Sequence, residues 1–239
     1  MTRPWYAGPL ASYDCETTGI EPETDRIVTA ALIRPNGDTL RWLSNADGVD
    51  VPVQASDIHG YTTDIVRSHG KPAKEVIEEI ADAVAGELSA GHAALVVMNA
   101  PFDLTMLDAE CTRHGVPTVA ERIGRPVGPI VDPLVLDRAA DRYRKGRRNL
   151  EALCAHYGVT LTNAHSADAD AKAALDVALA IGRQYPELEA PAEALHAWQV
   201  TWHARWAAGY AAHLSARGNK PVSIPAEWPV RPLPEAVTS

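Results

Sequence analysis

The hydrophobic pattern changes period several times along the chain, and each change marks an element. From Leu10 to Gly19, read L-A-S-Y-D-C-E-T-T-G, an apolar run ends in two acids and a turn, as in a strand that reaches a polar edge. Arg26 to Arg34 is a second β-type run, Asn36-Gly37 is a hairpin signal and Thr39 to Leu43 is its partner, so three strands open the chain. Val49 to Asp64 reads as loop, with Ser56-Asp57-Ile58-His59-Gly60 in its middle. Pro72 starts a helix with Val76, Ile77, Ile80, Val84 and Leu88 at helical spacing and Glu75, Glu78, Glu79 and Asp82 outside them. Ala93 to Met98 is short and continuously apolar, which suits a strand buried on both faces.

Asn99-Ala100-Pro101-Phe102-Asp103 follows, with Pro101 suited to a first helical turn and Leu104, Leu107 and Cys111 continuing a stripe towards Gly115. Pro129 to Asp132 predicts one more short strand, with helical segments after it near Pro133 to Tyr143 and Asn149 to Tyr157. His165-Ser166-Ala167-Asp168-Ala169-Asp170 opens a helix running to Tyr185, with Ser166 as its N-cap. Residues 1–185 thus form an α/β unit. Residues 186–218 differ: Pro186 and Pro191 break the chain, and Ala194 to Ala216 is a helix carrying Trp198, Trp202, Trp206, Tyr210 and Leu214 at every fourth position. That stripe is expected to pack on the main domain, with a partner or dimer surface as the alternative. Residues 219–239 are a proline-rich tail expected to be extended or disordered.

Composition narrows the class. With 239 residues, 46% hydrophobic and 22% charged, the chain can bury a proper core without staples. Cys15, Cys111 and Cys154 are odd in number and scattered, so they support neither a disulfide framework nor a zinc site, and a reducing cytoplasm fits them. The start of the chain lacks a signal-peptide pattern and no apolar run reaches membrane-spanning length, so a soluble protein with no membrane partner is expected. A net charge of -9 argues against a protein that coats nucleic acid through a general basic field. It leaves room for a nuclease with a local basic patch. Arg138, Arg142, Arg144, Lys145, Arg147 and Arg148 offer one, opposed within that run only by Asp141, and read equally as a solvated helix end.

The candidate chemistry lies in the acids. Asp14 and Glu16 are two apart in a strand, so they project from one face with Cys15 on the other. Like charges so close repel, and a divalent cation between them reverses the local electrostatics; alone, the pair also reads as a strand ending in solvent. Asp103 falls in the first turn of a helix after a strand, where α/β sheets gather their site residues and where an Asp also simply suits the helix dipole. Asp170 shares a helix face with Ala174, Val177 and Ile181, which draws it inward, and His165 stands just ahead of that helix.

Taken together, D-C-E-T-T-G, N-A-P-F-D and H-S-A-D-A-D, with I-H-G at 58–60, resemble the motifs of the DEDDh 3′-to-5′ exonucleases of ribonuclease H-like fold, as in the proofreading epsilon subunit of bacterial DNA polymerase III. The resemblance covers Leu10 to Tyr185. The departures are Cys15, at a position more often apolar or Thr, Met98 before the Asn, and the additional Asp168, expected to face water. Asp132 reads as a helix cap or as a partner of the site residues, with the cap favoured.

The resemblance implies a mixed five-stranded sheet flanked by helices, with the C-terminal helix as an extension. It implies two divalent ions, Mg²⁺ or Mn²⁺, held by Asp14, Glu16, Asp103 and Asp170, with Asp14 bridging and His165 taking the proton of the attacking water. Thr17 and Thr18 would lie near the 3′-hydroxyl, Phe102 would stack on a base, and His59 and Asn99 would complete the substrate site. The implied substrate is a single-stranded 3′ end, with DNA favoured over RNA because E-T-T-G resembles the DNA-directed branch. An exoribonuclease of the same superfamily and a non-catalytic nucleic-acid-binding module are the competing readings. The Trp198, Trp202 and Trp206 helix is the expected site of any polymerase or homodimer contact, and proofreading, repair and salvage all remain compatible.

Overall fold

The computed structural model describes residues 3–89, 93–218 and 220–233. The first three strands, β1 (Leu10–Thr17), β2 (Ile27–Ile33) and β3 (Thr39–Leu43), form an antiparallel meander. Two short helices, α1 (Val53–His59) and α2 (Thr63–His69), then lead to α3 (Ala73–Ser89) and β4 (Ala94–Val96), which pairs parallel to β1. After α4 (Ala100–His114) and α5 (Val119–Ile123), β5 (Ile130–Val131) adds parallel to β4. The remaining helices are α6 (Pro133–Ala140), α7 (Leu150–Tyr157), α8 (Ala167–Gln184) and α9 (Ala192–Gly218). The sheet order is β3-β2-β1-β4-β5, the mixed five-stranded sheet expected from the resemblance.

The alternation along β1 divides the core. Ala11, Tyr13 and Cys15 point to the face covered by α3 and α4, whereas Leu10 joins the opposite cluster built on Ala174, Val177 and Ile181 of α8. Small residues let α8 approach closely. Ser12, fully buried, donates from Oγ to the Ala171 carbonyl at 2.7 Å and shares the proton with Val96 O at 3.1 Å, which ties α8 to the sheet one residue beyond Asp170.

Three expectations need correcting. Val49 to Asp64 is not plain loop: α1 lies within it, begun after Pro52 and ended by Gly60 in the left-handed region (φ +81°). Its only buried residue is His59, so no apolar stripe announced it. The inward face of α9 is Leu195, Gln199, His203 and Ala207, one position round from the tryptophans. Trp202 is half-buried against both clusters, but Trp198 is 38% exposed and Tyr210 is also outward. The reason is that α9 lies along β5, an edge strand whose outer backbone groups need polar partners. Finally, the described part of the tail has no helix or strand yet is not loose, because Trp228 is buried in the cluster that contains Ala100, Leu104 and Leu107. Residues 219 and 234–239 of the expected tail lie outside the described residues.

The arginine run is likewise largely structural. Arg144 and Arg148 both bond the buried Asp137, which also accepts from Tyr157 Oη at 2.8 Å. Arg138 stacks over Trp206 at 3.6 Å, and burial pushes its guanidinium down to about 10. Among the described residues no helix is long and apolar enough to cross a membrane.

Candidate active site

At the end of β1 the ladder with β2 shifts register between Glu16 and Thr17, a bulge that turns the chain out of the sheet. Before it, Asp14 and Glu16 share the α8 face as the strand period requires. Asp170, in the first turn of α8, meets them there: one carboxylate oxygen from each of the three lies within 4.8 Å of the others. Asp103 comes from the other side of the sheet, at the start of α4, and is 3% exposed. Its Oδ1 accepts from the Cys15 N–H at 3.0 Å and from the thiol at 3.4 Å, so the residue between the two strand acids holds Asp103 close enough to raise both of them, although its carboxylate stands outside the cluster of three.

The electrostatics are those of a site short of positive charge. Burial, then Asp103, Glu16 and Asp170, hold the Asp14 carboxyl well above the usual range. Glu16 is pushed up to about 7 by burial, then by Asp170 and Asp103. Asp103 reaches about 7 through burial, although the Cys15 hydrogen bonds oppose the shift. Asp170 is raised by burial against the pull of His165, and its Oδ1 is buried with no partner among the described residues. Clustered hard oxygens, raised carboxyls and an orphaned acceptor fit a divalent cation better than any protein counter-charge among the described residues.

Around this centre the expected substrate residues fare differently. His59 is buried at the end of α1; Nδ1 accepts from Tyr61 N–H at 3.1 Å, so the proton sits on Nε2, which has no hydrogen-bond partner among the described residues. Burial lowers its pKa against the pull of the Thr17 backbone, which lies close enough to favour the charged ring without meeting hydrogen-bond geometry, and His165 lowers it further. Asn99 adopts φ +58°, ψ +48° and its side chain makes no cap bond to α4 and has no hydrogen-bond partner among the described residues; Phe102 is half-buried against the core. The hydroxyls of Thr17 and Thr18 are instead spent within the turn, Thr17 on Gly19 O at 2.6 Å and Thr18 on Asp25 Oδ1 at 3.0 Å. A Cβ on Gly19 would collide with the Asp25 carboxylate, so any larger residue there must displace Asp25 from Thr18.

His165 stands in the left-handed region at φ +68°, an uncommon conformation for a non-glycine residue. Its N–H donates to Asp170 Oδ2 at 3.2 Å, while its ring is 47% exposed and lies 3.8 Å from Glu151 Oε1 on α7. Glu151 was not singled out in the sequence, and nothing local marks it. Asp168 does not simply face water: it pairs with Arg41 of β3 at 2.6 Å, bracing the start of α8 against the sheet. Asp132 is indeed a cap, accepting from Leu134 N–H at 2.9 Å, but the same carboxylate accepts from Asn99 and Ala100 N–H, both at 3.0 Å. It therefore caps α4 in place of Asn99.

A family model described as Exonuclease (RNase_T) matches residues 12–178, more than half of the chain, and the chain belongs to that family, as a DEDD-type 3′-to-5′ exonuclease of ribonuclease H-like fold. A PolC-type DNA polymerase III of Streptococcus thermophilus is 29% identical over 165 residues, 67% of this chain and 10% of the relative. Its counterpart from Staphylococcus epidermidis is 26% identical over 178 residues, 74% of this chain and 11% of the relative. Among solved structures, Escherichia coli exonuclease I in complex with a dT13 oligonucleotide superposes with a TM-score of 0.61 at 22% identity, covering 76% of this chain and 42% of that one. The zinc-bound form of the same enzyme with single-stranded DNA gives 0.62 at 22% identity and the same coverage. The chain thus spans about a tenth of the length of the curated relatives and less than half of the structural ones.

Proposed function

We propose that the protein is a metal-dependent 3′-to-5′ exodeoxyribonuclease that removes nucleoside 5′-monophosphates from single-stranded DNA ends. The observation that carries this reading is the convergence of Asp14, Glu16 and Asp170 within 4.8 Å, with Asp103 held beside them by Cys15. Asp14, Glu16 and Asp170 would hold one Mg²⁺ or Mn²⁺, and Asp103 with Asp14 a second. Such ions, when bound, lower the pKa of water and offset charge on the attacking and leaving oxygens. His165 accepts the proton of the attacking water once its ring swings inward from Glu151, a movement that its solvent exposure permits. His59 offers a buried, neutral Nε2–H donor to the terminal nucleotide, Asn99 an amide and Phe102 a ring edge. The oligonucleotide complexes of exonuclease I support DNA as the substrate.

Matched 5′-labelled DNA and RNA strands, incubated with Mg²⁺ or Mn²⁺, test the reading. Faster shortening of the DNA from its 3′ end is expected. Preferential digestion of RNA would make the protein an exoribonuclease, and binding of either strand without digestion would make it a binding module.

A further inference from the structure

The family match ends at residue 178, yet the segment beyond it grips the helix that carries Asp103. Asp132 is 1% exposed and collects two donors on each oxygen. Oδ1 takes Asn99 N–H at 3.0 Å and Leu134 N–H at 2.9 Å; Oδ2 takes Ala100 N–H at 3.0 Å and the indole N–H of Trp228 at 3.3 Å. The backbone N–H of Asp132 is in turn held by Gln199 Oε1 at 2.8 Å. One turn further along α4, Thr105 Oγ1 accepts from the Arg231 N–H at 2.9 Å. The returning chain is pinned to α9 on its way, through Ser215 Oγ to Val222 N–H at 2.9 Å and His203 Nε2 to Pro225 O at 3.2 Å.

These contacts fall on both sides of Asp103. Ala100 and Asn99 precede it by three and four residues and Thr105 follows it by two, so the C-terminal segment holds the first turn of α4 at its start and at its end. The Asn99 side chain leaves the helix start uncapped, which makes the Asp132 carboxylate the group that fixes this turn. A buried carboxylate keeps its orientation only while its donors are in place. We propose that Gln199, Trp228 and Arg231 form a positioning strap for Asp103, with Trp228 acting through Asp132 and the Arg231 N–H acting through Thr105. The inference rests on Asp103 being a metal ligand, as read above.

The test uses the full chain and Mn²⁺ as the probe, with binding followed by calorimetry and by the spin-resonance signal of free Mn²⁺. Trp228→Phe keeps an apolar plug and removes the N–H; Thr105→Val keeps shape and removes the acceptor; Thr105→Ser keeps the acceptor. Supporting partners of metal ligands typically contribute about 10- to 100-fold in affinity. Trp228→Phe and Thr105→Val are each expected to weaken one Mn²⁺ equivalent about tenfold. They should also lower kcat with KM for an oligonucleotide unchanged, excess Mn²⁺ should restore kcat, and Thr105→Ser should match the parent. Variants that bind Mn²⁺ like the parent, even with a lower melting temperature, would reduce the strap to a structural element and overturn the proposal. A parent protein that binds no Mn²⁺ would instead overturn the reading of the site itself, and the strap with it.

Discussion

Gln199 Oε1 accepts the Asp132 N–H at 2.8 Å while its Nε2 donates to the Ile130 carbonyl at 2.8 Å, so one side chain of α9 closes the outer edge of β5. His196 Nδ1 completes the edge by accepting from the Ile130 N–H at 3.0 Å. In a parallel strand every second residue turns its backbone groups outward, and an uncovered edge is an invitation to mispairing. Here side chains do the work of a sixth strand. Gln199→Leu would leave a buried donor and a buried acceptor unpaired, each at a cost of about 1–3 kcal/mol. Urea unfolding should show that loss, and an unchanged midpoint would mean the edge finds other partners.

The raised carboxyls make the metal-free protein sensitive to pH in a defined direction. Glu16 titrates at about 7 in the fold, above its ordinary value of 4.5, so the folded state binds its proton over a range where the unfolded state has released it. Its contribution is fully present below about 4.5 and is lost as pH rises through about 7. Glu16→Gln, which cannot charge, is therefore expected to raise the melting temperature in EDTA more at pH 8 than at pH 5.5. Comparison with the parent at each pH cancels the opposing influence of His59, His196 and His203, whose burial lowers their pKa values. Equal gains at both pH values would contradict the upward shift that burial and the neighbouring acids impose on Glu16.

The turn after β1 makes a sharper demand on one position. Gly19→Ala would push a methyl into Asp25, which holds both Thr18 Oγ1 and the Glu21 N–H. The expected outcome is a folded protein with lower activity, because the displaced turn carries the residues next to Glu16. Circular dichroism with a digestion assay would check it, and full activity would show that the turn is not part of the site.

The buried Asp137 supports a strong stability effect away from the site. Its carboxylate pairs with both Arg144 and Arg148 and accepts from Tyr157, and removing one partner of a buried pair costs about 3–5 kcal/mol. Asp137→Ala should show this in chemical denaturation, whereas the exposed Arg41–Asp168 pair should contribute no more than about 1 kcal/mol. A mild Asp137→Ala effect would mean that the two arginines reach solvent readily.

The acids and most elements were legible because local periodicity governs them: Asp14 and Glu16 share a face by the strand period, and Asp170 follows the alanine face of α8. What escaped depends on partners distant in sequence. Asp132 reads as a cap because Leu134 is two residues away, while Ala100 and Trp228 are 32 and 96 residues away. The tryptophan stripe misdirected the reading of α9, since a helix laid on an open strand edge must turn Gln199 and His196 inward even at the expense of larger apolar groups. Asp137 lay just outside the arginine run it neutralises, so the run looked free.

The rate at which 5′-labelled single-stranded DNA shortens in Mg²⁺, measured for the parent, for Asp14→Ala and in EDTA, tests the exonuclease site most directly. The expected result is a ladder that recedes from the 3′ end, stops in EDTA and is abolished by Asp14→Ala while the variant still folds. Equal digestion by Asp14→Ala, or release of the label as a mononucleotide from the 5′ end, would contradict it.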